Sequence, residues 1–327
     1  MTLATIIVVT HNTARWRARQ KAALEAQTDK RWRLVVIDNA SRAEERPLAE
    51  HFPGGATLIQ NDANLGFAEA NNIGARGATT PYLIFLNPDA FPEPEWFATL
   101  IATAERYPQA GAIGCLQRRE GAPGVLDGVG DVLHVSGLAY RAGYGKRRDA
   151  PPLGEAFSAC GAAMLVRREA FEAIGGFDER YFCFFEDVDL CFRLRLAGWR
   201  VLQSPDAIVS HVGGGSIGAV SDFAEFHGAR NRLWTFIKCM PGPLMWLMLP
   251  AHLLATALVA TLAPIRGRRL GGWRGIFAGF AGLRPIFASR QTLQKARKAS
   301  LSDIASALTW SPDVLFTRRA VTRKIRG

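Results

Sequence analysis

The apolar positions of this chain fall in short continuous runs, and each run stops at a cluster of polar residues. Residues 4–9, 33–37, 56–60 and 82–86 are such runs. Short apolar runs bounded by turn-forming residues predict strands buried on both faces. Between them the period changes. An amphipathic helix follows the first run to about residue 26, and Asn64-Leu65-Gly66-Phe67 opens another over 68–78. Strands alternating with helices predict an α/β fold with a doubly wound, mostly parallel sheet. Right-handed crossovers then bring the polar strand ends to one edge.

The run 82–86 is the central one. It ends at Asn87-Pro88-Asp89, where Pro88 has no N–H to give a sheet ladder. Asp89 is thereby held at the carboxyl end of a strand, the edge at which open α/β sheets bind ligands. A carboxylate there suits a divalent metal carrying a nucleotide diphosphate. Thr10, Asp38, Asn64 and Gly66 end or follow the other strands and should meet Asp89 in one crevice. Asp38 can accept a hydrogen bond from a pyrimidine ring N–H or a ribose hydroxyl, or it can cap the next helix, for which Ser41 is the better candidate. Gly66 permits close backbone approach at a helix start, which favours phosphate, or is simply a turn.

Further along, 92–107 reads as a helix with Pro92 at its start. Residues 118–157 are rich in Gly and Pro and read as a mobile loop over the site or, preferably, a surface excursion. A strand over 158–166 passes through Gly161. Phe182, Phe184 and Phe185 then precede Glu186-Asp187-Val188-Asp189. A helix over 186–197 places Leu190, Leu194 and Ala197 on one face. Acids in its first turn suit the helix dipole. A carboxylate desolvated by the phenylalanines would also have the raised pKa of a general base. Asp189 and Arg193, four apart, read as a structural pair. Short strands over 199–203 and 207–209 lead to His211-Val212-Gly213-Gly214-Gly215-Ser216. These glycines either close over a diphosphate or form a flexible turn.

Charge changes the picture only at the end of the chain. The 327 residues sum to +11, but 264–327 hold 14 Lys and Arg against two acids, so 1–263 sum to −1. Residues 244–263 carry no charge and are long enough to span a bilayer, although Pro250 and His252 interrupt them. They span, lie in the interface or pack on the body. A helix over 276–290 reads as amphipathic. An apolar run beside a basic tail predicts an anionic membrane surface as partner and no nucleic acid. With 48% hydrophobic residues the chain is not disordered. Its five cysteines form no CxxC pair, which excludes a disulfide or zinc framework. Residues 1–9 read as a strand and not as a secretory signal.

Val9-Thr10-His11-Asn12, Val36-Ile37-Asp38-Asn39-Ala40-Ser41, Asn64-Leu65-Gly66-Phe67-Ala68-Glu69-Ala70-Asn71-Asn72, Phe85-Leu86-Asn87-Pro88-Asp89-Ala90 and Phe185-Glu186-Asp187-Val188-Asp189-Leu190-Cys191-Phe192-Arg193 together resemble the inverting family 2 glycosyltransferases of GT-A fold. The rhamnosyltransferase-like enzymes of bacterial surface polysaccharide synthesis are the nearest group. The resemblance covers about residues 4–235 and implies a GT-A domain over 1–240; the apolar run and basic tail make 241–327 a helical, membrane-associating region. It implies a nucleotide-sugar site at Thr10, Asn12, Asp38, Asn64, Gly66, Asn87 and Asp89. It implies Asp187 as base with Glu186 orienting the acceptor, and Trp199, Arg230 and Asn231 on the acceptor side. A divalent metal, Mg or Mn, would rest on Asp89 and His211. Asn87 stands where the family's metal motif has its first Asp, so one charge is missing. The implied reaction moves a sugar, rhamnose among the options, from a dTDP- or UDP-sugar to a lipid-linked saccharide at the cytoplasmic face of the inner membrane. The rivals are a nucleotidyltransferase, which would show a Gly-rich, Lys- or Arg-bearing loop where Thr10-His11-Asn12 stand, and a non-catalytic assembly factor of the same fold.

Overall fold

The computed structural model describes residues 1–325 except 214–220 and 266–269. The first four strands are β1 (Ala4–Thr10), β2 (Trp32–Asn39), β3 (Thr57–Asn61) and β4 (Tyr82–Leu86). Helices α1 (Ala14–Glu25) and α2 (Gly66–Ala75) connect them. Then come β5 (Ala90–Pro92), α3 (Trp96–Arg106), β6 (Ala110–Arg119), β7 (Leu126–Gly128), β8 (Asp131–Leu133), β9 (Ala139–Arg141), β10 (Gly154–Glu155) and β11 (Ala163–Arg167). The body closes with α4 (Arg168–Ala173), α5 (Glu186–Leu196) and β12 (Arg200–His211).

The main sheet runs β3-β2-β1-β4-β11-β6-β12-β10. β1 is parallel to β2 and β4, and β2 is parallel to β3. β11 is antiparallel to both its neighbours, and β12 is parallel to β6. The mostly parallel α/β sheet is therefore as expected, with one inverted strand joining its two parallel groups. Three of the four runs are buried on both faces: Ile6, Val8, Val36, Ile84 and Leu86 pack on one side, and Ile7, Ile37, Leu83 and Phe85 on the other; the run over 56–60 is not, because β3 is the edge strand and its residues are half-buried or exposed. Helix α3 begins four residues later than predicted, because Ala90–Pro92 pairs with β12 as a strand. The two short strands predicted over 199–209 are one long strand with a register shift between Ser204 and Ile208.

Residues 118–157 correct the expectation of a mobile loop or surface excursion. They form β7 to β10, and Leu126, Asp127, Val129, Asp131, Val132 and Leu133 are all buried. Beyond the body lie α6 (Asp222–Cys239), α7 (Gly242–Ile265), α8 (Gly271–Ala281), α9 (Leu283–Lys295), α10 (Leu301–Ala307) and α11 (Asp313–Thr317). The single helix predicted over 276–290 is two, broken at Gly282, where a Cβ would lie 2.6 Å from the Trp234 ring. Leu244, Met245, Ile286 and Ile304 share a core cluster with Val188 and Phe192 of α5.

Candidate active site

The carboxyl ends of β1, β2 and β4 do meet at one edge. Thr10 donates to Asp38 at 3.3 Å, and both are buried. His11 Nδ1 donates to the Asn39 carbonyl at 2.9 Å. Asn12 takes a positive φ of 54°, a conformation Asn tolerates better than most residues. Its amide donates to Ser41 Oγ at 3.0 Å, and its side-chain oxygen accepts from the Arg42 amide at 2.9 Å. Ser41 thus ties the β2 loop to the β1 loop instead of capping a helix. Asn39 is a hub that went unnoticed in the sequence. Its side chain bonds Asn64, Asn61, the Leu65 amide and the Gly66 carbonyl.

The expectation of phosphate at Gly66 is corrected. Gly66 has φ +82°, and a Cβ there would lie 2.6 Å from Phe182. The close approach it permits is to the protein's own chain. The amides of Phe67 and Ala68 donate to the Phe182 carbonyl at 2.6 and 3.1 Å, and that of Gly66 to Asn64 at 3.0 Å. The start of α2 is therefore already satisfied.

Asp89 and His211 come together as the resemblance implied. Strand β12 pairs His211 with Ala90, which places His211 Nε2 3.3 Å from Asp89 Oδ1. On its other side His211 Nδ1 donates to Asp127 at 2.7 Å, and Arg141 reaches the same carboxylate at 2.6 Å. Burial penalises the imidazolium, but the carboxylates of Asp127 and Asp89 outweigh it and hold the His211 pKa above its ordinary value. Gly213 makes this possible: its φ is +69°, and a Cβ would press on Asp127 at 2.9 Å. Gly214, Gly215 and Ser216 lie outside the described residues.

A divalent cation fits this pair. His211 Nε2 is buried and has no well-formed hydrogen bond among the described residues, and it faces the Asp89 carboxylate. A carboxylate on Nδ1 is the arrangement that orients a metal-binding imidazole and sets its tautomer.

Asp187 opens α5. Its Oδ2 accepts from the Gly161 amide and its Oδ1 from the Val188 amide, both at 2.8 Å. Burial raises its pKa, and these amides oppose the rise. Glu186 is buried more deeply, its Oε2 has no hydrogen-bond partner among the described residues, and its pKa is driven well up by burial and by Asp187. The backbone that presents this pair is strained. Phe182, Phe184 and Phe185 have φ of 63°, 66° and 68°, values that cost bulky residues energy unless the surroundings enforce them. The enforcement comes from α6. Asn231 Nδ2 donates to the carbonyls of Tyr181, Cys183 and Phe184 at 2.9, 2.9 and 2.7 Å. Arg230 Nη2 donates to those of Arg180 and Tyr181.

Two acceptor-side expectations are thereby corrected. Asn231 is fully buried and serves as a clamp on the strained loop. Trp199 lies past the far end of α5, roughly 15 Å along the helix axis from Asp187 at 1.5 Å per residue. There it lines a separate groove of about 860 Å³ with Arg193 and Lys238. Arg230 keeps a second role open, because it lines a cleft of about 460 Å³ with Asn64, Phe182, Phe223 and His227. Asn87 holds the turn by its backbone: its amide donates to Ala162 at 2.8 Å, and its carbonyl accepts from Gln20 at 2.7 Å.

Asp127, Asp131 and Arg141 belong to the site and were missed. The signal was available: Asp127 and Asp131 are isolated carboxylates in an otherwise apolar and glycine stretch from Val125 to Leu133. Charges in such a run are expensive to bury unless they serve the site.

The profile of Glycosyl transferase family 2 matches residues 5–175. The N-acetylglucosaminyl-diphospho-decaprenol L-rhamnosyltransferase of Mycobacterium tuberculosis is 31% identical over 230 residues, covering 63% of this chain and 75% of that protein. Rhamnosyltransferase WbbL of Escherichia coli K12 is 30% identical over 214 residues, 61% of this chain and 80% of that one. Among solved structures, S. aureus TarS 1–349 aligns with TM-score 0.58 at 13% identity, covering 97% of this chain and 92% of that one. A mannosyltransferase from Pyrobaculum calidifontis, in complex with GDP-Man and Mn2+, aligns with TM-score 0.55 at 20% identity, covering 93% and 86%. These likenesses set the nucleotidyltransferase and non-catalytic rivals aside: the chain belongs to glycosyl transferase family 2 and is a glycosyltransferase of GT-A fold.

Proposed function

We propose that this enzyme transfers rhamnose, with inversion, from a dTDP- or UDP-linked donor to a hydroxyl of a lipid-linked diphosphosaccharide at the cytoplasmic face of the membrane. The observation that carries the chemistry is Asp187, a half-buried carboxylate held by two amides beside an aromatic loop. Asp38 and Thr10 hold the nucleoside, and Asn12 and Asn87 shape its loops. Asp89 and His211 would hold a divalent cation, Mg or Mn, which when bound neutralises the diphosphate leaving group. Asp187 takes the acceptor hydroxyl's proton as that oxygen forms its bond to the sugar C1. The C1–O bond to the diphosphate breaks, and its electron pair leaves on the nucleotide. Arg230, which lines a cleft with Asn64, meets the acceptor's phosphates in this reading.

The division into a catalytic part, 1–240, and a membrane-associating part, 241–327, is functional in this reading. Gly242–Leu262 is long and apolar enough to cross a bilayer. However, His252 and Thr256 are buried against the body, while Trp246, Leu247, Leu253, Leu254, Leu258 and Leu262 form an exposed apolar stripe. Phe277, Phe280 and Phe287 of α8 and α9 are also exposed. With one face on the body and the other bare, this helix is read as lying in the interface.

The reading is tested by offering a panel of dTDP-, UDP- and GDP-sugars with an N-acetylglucosaminyl-diphospho-polyprenol acceptor. Transfer from dTDP-rhamnose alone is the expected result; transfer only from another sugar nucleotide would overturn the donor assignment. Co-sedimentation with vesicles containing anionic lipid checks the membrane, and Leu254→Glu with Phe277→Glu should abolish it.

A further inference from the structure

Half-buried Asp187 stands against a set of buried acids. Asp131 on β8 and Cys160 each bring a side-chain heteroatom to within 4.8 Å of its carboxylate and of each other. Asp131 and Glu186 are both 7% exposed. Arg141 from β9, Asp127 from β7 and Asp189 further along α5 are the other charged groups that act on the set. Arg141 meets Asp127 at 2.6 Å, and its charge opposes the effect of burial on Asp131 and Asp187. Three carboxylates crowded in a desolvated space do not all ionise; protons stay on those least well solvated.

Hydrogen bonds decide which acid carries the charge. Asp187 receives two amide N–H donors. Glu186 Oε2 receives none among the described residues. Asp131 is locked in place through its backbone, which exchanges hydrogen bonds with Ser158 at 2.8 and 3.2 Å. Its pKa is pushed far up by burial and then by the charge of Asp187, with Arg141 opposing. The Cys160 thiol, pushed up to about 12 by burial, stays protonated and makes the trio a poor site for a hard cation.

We propose that Asp131, whose carboxyl lies within 4.8 Å of Asp187's, is a positioning residue of the transfer reaction, its O–H holding the acceptor's oxygen while Asp187 takes the acceptor's proton. This rests on Asp187 being the base. The proton balance is simple: Asp131 keeps its proton throughout, and Asp187 alone gains one. The neutral form is what the isostere Asn imitates, since its amide N–H can replace the carboxyl O–H, whereas Leu fills the space and donates nothing.

The test compares Asp131→Asn, Asp131→Leu and Asp187→Asn in steady-state transfer from dTDP-rhamnose to the diphospholipid acceptor. Nucleotide affinity and Tm are measured on each, and infrared difference spectra report protonated carboxyl groups at neutral pH. Asp131→Asn should stay within about 5-fold of the native rate, the worth of one hydrogen bond. Asp131→Leu should lose on the order of 10²-fold, as when an oriented donor is removed from an active site, with dTDP affinity unchanged. The protonated-carboxyl band should shrink in Asp131→Asn and persist in Asp187→Asn. Asp131→Asn as crippled as Asp187→Asn would overturn the proposal, because Asp131 would then be the charged group. Native kinetics in Asp131→Leu would also overturn it. Should Asp131→Leu fail to fold, the Asn variant and its infrared band still decide. Full activity in Asp187→Asn would overturn the base assignment separately, while the band reads the proton on Asp131 directly.

Discussion

Asp187 and Asp189 stand two residues apart in the first turn of α5 and meet opposite surroundings. Asp189 is fully buried and paired: Arg193 Nε and Lys238 Nζ each lie 2.7 Å from it, and the Tyr181 hydroxyl donates at 3.1 Å. Lys238 also meets Asp178 at 2.5 Å, and Arg180 Nη2 lies at the same distance from Asp178. Burial alone would raise the Asp189 pKa, but Arg193 and Lys238 bring it below the ordinary value. Asp187 has amides where Asp189 has cations, and its pKa is raised. In the proposed reading one helix therefore carries a structural carboxylate on one side and the base on the other. Burial does not separate structure from function here; the partner does.

The comparison breaks first at Asp187. Asp187→Asn should cut turnover by roughly 10²–10⁴-fold, the usual share of a general base, with donor affinity and Tm nearly unchanged. Asp189→Asn should do the reverse. It leaves buried cations short of a countercharge, which costs about 3–5 kcal/mol, read as a fall in Tm and in the denaturant midpoint with dTDP affinity retained in the folded fraction. Normal stability in Asp189→Asn would mean that the two faces of α5 do not differ as described.

A smaller effect is expected behind the metal pair. Asp127→Asn removes the carboxylate that orients His211, and should weaken Mn²⁺ binding by about 10–100-fold, followed as the metal-dependent rise in Tm. Asn231→Ala should lower stability by about 1–3 kcal/mol, the cost of stranding buried carbonyls. It should also slow turnover, because the strained loop that presents Glu186 and Asp187 loses its clamp.

The smallest effect is in the pH dependence of stability, where the two kinds of acid pull in opposite directions. Asp178 and Asp189 have lowered native pKa values. Their contribution is complete above the unfolded carboxylate value of about 4 and is lost as pH falls below it. Asp131 and Glu186 have raised native values. Above about 4 the unfolded chain releases protons that the native state keeps, so stability declines as pH rises. Asp131→Asn with Glu186→Gln should flatten that upper decline and leave the acid side alone, as seen in Tm measured from pH 4 to 8.

Much of this was legible in the chain itself. The apolar runs that end at Thr10, Asp38 and Asp89 announced parallel strands with a polar edge, because a strand covered on both faces needs apolar residues at every position. The acids behind an aromatic cluster marked the stretch 186–189, and the family resemblance singled out Asp187 within it. The pairing of Asp189 with Arg193 was read from spacing alone, because helix geometry makes residues four apart neighbours. Local rules of this kind act over a few residues and are written in order along the sequence.

Tertiary structure decided what depends on distant partners. Asp127 reaches His211 across 84 positions, and only Gly213 on β12's exit leaves room for it. Asn231 looks like any polar residue on a helix until α6 is laid against the carbonyls of 181–184. Gly66 signals close approach in either context, but only the packed chain shows that Phe182 fills the place expected for phosphate. Trp199 and Asp187 are near in sequence, yet the length of α5 carries them apart. A residue's type tells what it can donate, accept or bury. Which of these it does is set by the groups the fold brings within about 3 Å, where hydrogen bonds and ion pairs have their strength.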